Sequence, residues 1–222
     1  MPTFSIITIT YNAEKYLEKT IQSIINQTDK DFEYLIIDGK SKDKTLEIAQ
    51  KYSSFITLLV SEPDKGLYDA MNKGLKLATG RFVWFVNAGD EIVATTTIEN
   101  IKKGITPTTD LIYGETNFIN ENGQLLGIRS ELTTHRLPTN LHWKQMKYGM
   151  LVCHQSFIAN RAIAPTYDIT NLSADLDWEI SVLKQVKESY FYPEIISNYL
   201  IGGISNQQLK KSLIDRFKVM VK

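Results

Sequence analysis

Cysteine is nearly absent. Cys153 is the sole cysteine among 222 residues, so no intramolecular disulfide can form and the disulfide scaffolds of small secreted domains are excluded. A reducing compartment is expected. The residues before it, Gly149-Met-Leu-Val, are apolar and mark Cys153 as a small buried hydrophobe rather than a nucleophile. An excess of charge of one sign is missing too. Lys and Arg number 25, Asp and Glu 25, and the formal net charge is +0. Phosphate-backbone recognition ordinarily leaves a basic excess, so no nucleic-acid partner is expected. No apolar run approaches the roughly 20 residues of a membrane-spanning helix. Met1-Pro-Thr-Phe-Ser-Ile-Ile-Thr has no basic stretch ahead of its apolar run, unlike a signal peptide. The expectation is a cytoplasmic chain that reaches a membrane only from its surface. Internal repeats and low-complexity segments are absent. No Gly-x-Gly-x-x-Gly follows the first apolar run, which disfavours a dinucleotide-dependent oxidoreductase.

With 43% hydrophobic and 23% charged residues, the chain has ample material for one folded core. Phe4-Ser-Ile-Ile-Thr-Ile-Thr reads as a buried strand. Asn12 is expected to cap a helix over Ala13–Gln27, with Leu17, Ile21 and Ile24 at helical spacing. Phe32–Asp38 is a second strand, Thr45–Ala49 lies in a short helix, Phe55–Val60 is a third strand, Leu67–Ala78 a helix and Phe82–Val86 a fourth strand. Such alternation predicts an α/β fold with a mostly parallel central sheet flanked by helices. Ligands on such sheets bind at the carboxyl ends of the strands, which directs attention to Thr10-Tyr-Asn, Asp38-Gly-Lys-Ser, Ser61-Glu-Pro-Asp-Lys-Gly and Asn87-Ala-Gly-Asp-Glu.

The second half is less regular. Leu111–Phe118 and Leu125–Arg129 read as strands joined by Asn120-Glu-Asn-Gly. Thr133–Trp143 is a polar loop, Val152–Ile158 a further strand, Asp175–Val186 a helix with an acidic first turn, and Gln207–Lys222 a terminal helix.

Two carboxylates follow apolar strands. Asp38 either accepts hydrogen bonds from a base or ribose or starts an Asx turn before Gly39. Asp90 is either a hard oxygen ligand for Mg²⁺ or Mn²⁺ or a turn residue ahead of the helix near Thr97. His154 lies on an apolar stretch, where a core histidine is the ordinary reading. His135 and His142 lack the spacing of a zinc site.

Taken in order, four segments become recognisable. They are Ser5-Ile-Ile-Thr-Ile-Thr-Tyr-Asn12, Ile36-Ile-Asp-Gly-Lys-Ser-Lys-Asp-Lys-Thr45, Ser61-Glu-Pro-Asp-Lys-Gly-Leu-Tyr-Asp-Ala-Met-Asn-Lys-Gly74 and Ala78-Thr-Gly-Arg-Phe-Val-Trp-Phe-Val-Asn-Ala-Gly-Asp-Glu91. Together the chain resembles the family 2 glycosyltransferases of the GT-A fold, especially enzymes of bacterial polysaccharide and lipopolysaccharide synthesis. The match is dense over residues 4–92 and thinner to about residue 206.

The resemblance implies one GT-A-like domain over 1–222, with a nucleotide-sugar half to about residue 110 and an acceptor-side half beyond. It implies inverting transfer from a nucleoside diphosphate sugar, UDP ahead of GDP, to a hydroxyl of a glycan or lipid-linked glycan. By resemblance, Thr8, Thr10, Tyr11 and Asn12 line the nucleoside and Asp38 recognises the base. Lys65, Gly66, Asp69 and Asn72 run beside the donor, and Asn87, Ala88 and Gly89 precede the metal residue Asp90. Asn87 and Gly89 stand where more acidic versions of the motif carry Asp. Ser173-Ala-Asp-Leu-Asp-Trp-Glu resembles the family's acidic motif, with Asp175 as the general base and Asp177 as a helix-dipole residue. Ile201-Gly-Gly-Ile-Ser205 resembles a segment that either contacts donor phosphates or simply turns. The terminal stretch sets Lys210, Lys211, Arg216, Lys218 and Lys222 against Leu209, Leu213, Ile214, Phe217 and Met220. It is either a helix docked with its basic face in water or one lying on an anionic membrane. The competing functions are a nucleotide-sugar-binding module without catalysis and a sugar nucleotidyltransferase. The latter would need a Gly-rich basic loop after the first strand, and Thr10-Tyr-Asn-Ala-Glu-Lys is not one.

Overall fold

In the computed structural model, which describes residues 1–202 and 209–220, the first strand β1 (Phe4–Thr10) is buried at all seven positions. A strand covered on both faces is the reason its sequence is a near-continuous apolar run rather than an alternating one. Phe4 and Ile6 pack into one layer with Leu17, Ile21 and Ile24 of α1 (Leu17–Ile25) and Ile98 and Ile101 of α4 (Thr97–Gly104). Ile7 and Ile9 face the other layer, with Tyr68 and Met71 of α3 (Leu67–Leu77) and Trp178 and Val182 of α6 (Ala174–Leu183).

Around β1 lie β2 (Phe32–Asp38), β3 (Leu58–Ser61) and β4 (Phe82–Phe85), with α2 (Thr45–Lys51) between β2 and β3. They run parallel in the order β3-β2-β1-β4. The register sets Thr10 beside Asp38 and Asp38 beside Ser61, so three strands end level. Helix α1 starts later than expected. Tyr16 occupies its N-cap position. Asn12 has φ 47, and its Oδ1 accepts from Lys42 N at 2.9 Å. The side chain expected to cap α1 therefore ties two strand-end loops together.

Beyond β4 the sheet becomes mixed, continuing β8-β6-β9-β5 with β7 paired to β6. The strands are β5 (Glu91–Ile92), β6 (Leu111–Ile119), β7 (Leu125–Ile128), β8 (Phe157–Asn160) and β9 (Ser189–Leu200). A short helix, α5 (Arg129–Leu132), follows β7, and 3-10 turns occupy Trp143–Tyr148, His154–Ser156 and Arg161–Ile163. Instead of one strand over 152–158, the chain makes the His154–Ser156 turn and then β8, antiparallel to β4 and β6. Buried polar contacts hold that turn: Trp84 Nε1 donates to Gln155 O at 2.8 Å, and Ser156 Oγ meets Thr116 and Ser197 hydroxyls at 2.7 Å each.

Strand β9 went unread in the sequence, although it is twelve residues long. Pro193 lies inside it, and proline interrupts a ladder. The pairing with β6 steps from Tyr113↔Phe191 to Glu115↔Ile195, a bulge that accommodates the proline. β9 then carries Leu200 to the edge where Asp90 lies.

The last helix, α7 (Leu209–Met220), docks through Ser212, Asp215 and Val219. Asp215 Oδ2 accepts from Leu172 N at 3.1 Å, and Ser173 Oγ donates to Ser212 O at 3.1 Å. Leu213, Ile214 and Phe217 are exposed. This differs from a docked helix with only a basic face in water, because its inward side is mainly polar and bonded. Residues 203–205 of the Gly-Gly-Ile-Ser segment, with residues 207–208 and 221–222 of the expected terminal helix, lie outside the described residues.

Candidate active site

The level strand ends floor a cleft of about 610 Å³, walled by Thr10, Tyr11, Lys40, Lys42, Asp64 and Gly66. Thr10 is 2% exposed and its Oγ1 has no hydrogen-bond partner. An unpaired buried hydroxyl in a cleft wall is costly unless a ligand meets it. Thr8 lies beneath the wall rather than in it. Its hydroxyl donates to Val86 O at 2.7 Å and meets Tyr34 at 3.0 Å, bracing β1 against β4 and β2. Tyr11 is exposed, with its ring close over Gly39. Asp38, almost fully buried, accepts from Ser41 N at 3.1 Å, Ser61 Oγ at 2.6 Å and Ser41 Oγ. Of its two readings, the loop-closing one is present, and a base reaching Asp38 would exchange with one of these serines.

Gly66, at φ 120, opens α3 at the cleft, and a helix start leaves its first N–H groups without intrahelical partners. Asp69 steadies that entry by accepting from Lys65 N at 2.9 Å. Lys73 holds Glu62 at 3.0 Å and Asp64 at 3.2 Å behind it. Asn72 is spent elsewhere: its amide exchanges two bonds with the Tyr167 backbone, at 2.9 and 2.7 Å, and pins the 165–172 stretch to α3.

Asn87-Ala-Gly-Asp90 follows β4. Ala88 N donates to Ile9 O at 3.1 Å and Gly89 N to Thr20 Oγ1 at 2.9 Å. Gly89 has φ 106, a backbone conformation that demands glycine, and a Cβ there would also displace the end of the Leu200 side chain, 2.7 Å away. The turn delivers Asp90, 4% exposed. One carboxylate oxygen accepts from Gln155 Nε2 at 2.8 Å, the other from Leu200 N at 3.1 Å. Burial pushes its pKa up to about 7 against these bonds.

A divalent cation needs hard oxygen ligands. Asp90 supplies a carboxylate with lone pairs to spare, and the Asn87 Oδ1 is buried without a partner. Among the described residues no group of three or more His, Cys, Asp or Glu could hold a metal ion. This sparse set fits an ion that takes most of its ligands from phosphate and water.

Asp175 opens α6. Its Oδ1 accepts from Leu176 N at 2.9 Å, and the Tyr68 hydroxyl and Arg216 stand close. Burial raises its pKa despite them, which favours a base. Asp177 points from another side of the helix and lines a different cleft. Tyr199 on β9 lies within the field of both candidate carboxylates: burial raises its phenol first, Cys153, Asp90 and Asp175 raise it further, and Arg129 lowers it.

His154 lies in the aromatic core, stacked on Phe85 at 5.5 Å, with Nε2 3.0 Å from Tyr167 Oη. Its Nδ1 is 3.5 Å from Glu179 Oε1, a distance that would suit an ion pair. Burial pushes the imidazole down to about 4 and the Glu179 carboxyl well up, so burial disfavours the charged form of each. Cys153 is buried, as expected, and its thiol is raised to about 12 mainly by burial.

Gln155, Tyr68, Tyr199 and Leu200 were missed as site residues. Of these, Tyr68, inside the Ser61–Gly74 segment, and Gln155, beside His154, stood next to residues that the sequence singled out. Lys40 and Lys42, on the loop after Asp38, also line the cleft.

The family model described as Glycosyl transferase family 2 matches residues 5–164. A PGL/p-HBAD biosynthesis glycosyltransferase of Mycobacterium tuberculosis is 27% identical over 231 residues, covering 97% of this chain and 84% of that protein. The Escherichia coli UDP-Glc:alpha-D-GlcNAc-diphosphoundecaprenol beta-1,3-glucosyltransferase WfgD is 34% identical over 119 residues, 53% of this chain and 47% of that one. Staphylococcus aureus TarS 1-349 in complex with UDP superposes with TM-score 0.77 at 20% identity, over 99% of this chain and 64% of that one. A mannosyltransferase from Pyrobaculum calidifontis, in complex with GDP-Man and Mn²⁺, does so with TM-score 0.73 at 17% identity, over 99% and 64%. At these identities the structural likeness establishes the fold alone.

Proposed function

The chain belongs to glycosyl transferase family 2 and is a glycosyltransferase of the GT-A fold, and on that premise we propose that it transfers a sugar, with inversion, from a nucleoside diphosphate sugar to a hydroxyl of a glycan or lipid-linked glycan in cell-surface polysaccharide synthesis. UDP is favoured over GDP, and WfgD and the TarS complex are uridine cases in point. The observation that carries the reading is the unpartnered Thr10 hydroxyl in a strand-end cleft, at one sheet edge with the paired environments of Asp90 and Asp175.

In this reading the nucleoside lies along Thr10, Tyr11, Asn12 and the Asp38 loop, over the support that Thr8 gives. The diphosphate runs past Lys65 and Gly66, with Asp69 and Asn72 holding the surrounding loops. Asp175 takes the acceptor hydroxyl proton as that oxygen attacks the anomeric carbon and the bond to the diphosphate breaks on the opposite face. Asn87, Ala88 and Gly89 shape the turn that presents Asp90. Asp90, with the amide oxygen of Asn87, would hold a divalent cation, Mn²⁺ or Mg²⁺, whose positive charge stabilises the leaving diphosphate. Among the described residues no helix is long and apolar enough to cross a membrane. Peripheral contact from the cytoplasmic side is assigned to α7, where Lys210, Lys211 and Lys218 accompany exposed Leu213, Ile214 and Phe217.

Isothermal titration of the full chain with UDP- and GDP-sugars, with and without Mn²⁺, tests the reading alongside a donor-hydrolysis and transfer assay. Saturable, Mn²⁺-strengthened binding of a UDP-sugar with turnover is expected. Failure to bind any nucleotide sugar would overturn it, and binding without hydrolysis or transfer would leave a catalytically silent module.

A further inference from the structure

A second cleft, of about 510 Å³, opens beside α6 and is lined by the 143–148 turn, α6 and α7. Asp177, Ile180, Ser181 and Lys184 line it, at the i, i+3, i+4, i+7 spacing of one helix face. Asp175, Trp178, Glu179 and Val182 occupy the face toward the site and core. The same helix therefore presents the candidate base on one side and this cleft on the other.

Three amines, Lys144, Lys147 and Lys184, outnumber one carboxylate, Asp177, in its wall. Two of them are held over the same indole: Lys144 Nζ is 5.6 Å and Lys184 Nζ 5.2 Å from the centroid of Trp143. The turn that bears Trp143 is itself fixed, since His142 Nδ1 accepts from Lys144 N at 3.2 Å and Gln145 Oε1 from His142 N at 2.7 Å. Amines gathered in one place suit a multiply charged anion. The opposite wall is apolar, through Ile180, Val219 and Met220. Met220 shares a face of α7 with Phe217 and Leu213, which are 66% and 53% exposed. That stripe runs about 10 Å outward from the cleft at 1.5 Å per residue.

We propose that this cleft binds the diphosphate of a lipid-borne acceptor, with the lysines on the phosphate oxygens and the α7 stripe under the start of the lipid chain. The inference rests on the transferase reading for the bound molecule's role as acceptor, but not for its binding. It places the acceptor's anionic end on the face of α6 opposite Asp175, so the glycan it carries passes around that helix to reach the base.

The test is titration of the full chain with farnesyl diphosphate, inorganic diphosphate, farnesol and phosphatidylglycerol vesicles, with UDP titrated in the same samples. Farnesyl diphosphate should bind best. The double substitution Lys144→Gln with Lys184→Gln should weaken it about a hundredfold, roughly tenfold for each lost charged hydrogen bond. Phe217→Ser, at an exposed site that folding does not require, should weaken farnesyl diphosphate while leaving inorganic diphosphate unchanged. UDP affinity should be unaltered throughout. The proposal is overturned if farnesyl diphosphate does not bind, if the lysine substitutions leave it unaffected, or if inorganic diphosphate binds equally well. Capture of vesicles through these lysines without farnesyl diphosphate binding would make the cleft a headgroup site and overturn it as well. UDP binding without farnesyl diphosphate binding removes this cleft alone; the converse removes the transferase reading alone.

Discussion

Gln155 Nε2 stands 2.8 Å from Asp90 Oδ2 and donates to it, so a residue from the second half of the chain aims the carboxylate presented by the first. Leu200 N, from the end of β9, takes the other oxygen. Held this way in a buried place, Asp90 titrates at about 7.

That shift has a sign in stability. Unfolded, Asp90 titrates near 3.8; folded, near 7. Between those values the native state holds the extra proton, so this group's contribution falls as pH rises through the window. The stability of Asp90→Asn relative to wild type should be greater at pH 8 than at pH 4, and turnover should be lost. Melting curves at both pH values check it, and a pH-independent difference would refute the buried charge.

Asp175→Asn should keep nucleotide-sugar affinity and lose transfer by about 10²–10⁴-fold, the range of a general base. Steady-state rates beside donor titration decide this, and an active Asn variant removes Asp175 from the role.

Two threonines on one strand should separate binding from stability. Thr10→Val replaces an unpartnered hydroxyl and should weaken nucleotide binding without lowering the melting temperature. Thr8→Val removes bonds to Val86 O and Tyr34 and should cost about 1–3 kcal/mol of stability. Urea melts and UDP titration of both variants would show the contrast or its absence.

Gly89→Ala must place a Cβ 2.7 Å from Leu200 at φ 106. A cost of about 1–3 kcal/mol is expected, together with reduced turnover as the turn shifts Asp90. A fully active variant of wild-type stability would contradict the strained backbone at this turn.

Glu179 is fully buried and neither carboxyl oxygen has a hydrogen-bond partner. Glu179→Leu, similar in size, should raise the melting temperature, because an unpaired polar group gives way to an apolar one. A lower melting temperature would mean that the carboxyl has a use within the fold.

Much of the first half was legible. β1, β2, α2 and α3 lie within a residue or two of expectation because their apolar spacing is local. The start of α1 was misplaced because Asn12 bonds to the Lys42 backbone, thirty residues on. The turn at His154–Ser156 and strand β9 escaped because hydroxyl contacts from the turn to two strands, β6 and β9, and a bulge at Pro193 override local propensity.

The sequence by itself determined the alternation of elements, the strand ends where chemistry gathers and the family motifs, since hydrophobic period and chain order encode these. Only the tertiary structure decided which polar residues in those motifs remain available. Thr8, Thr10, Asp38 and Asn72 look alike as motif members. The physical reason for their different states is distance in space: whether a donor or acceptor from a remote segment reaches a side chain decides whether it locks the fold or waits for a ligand.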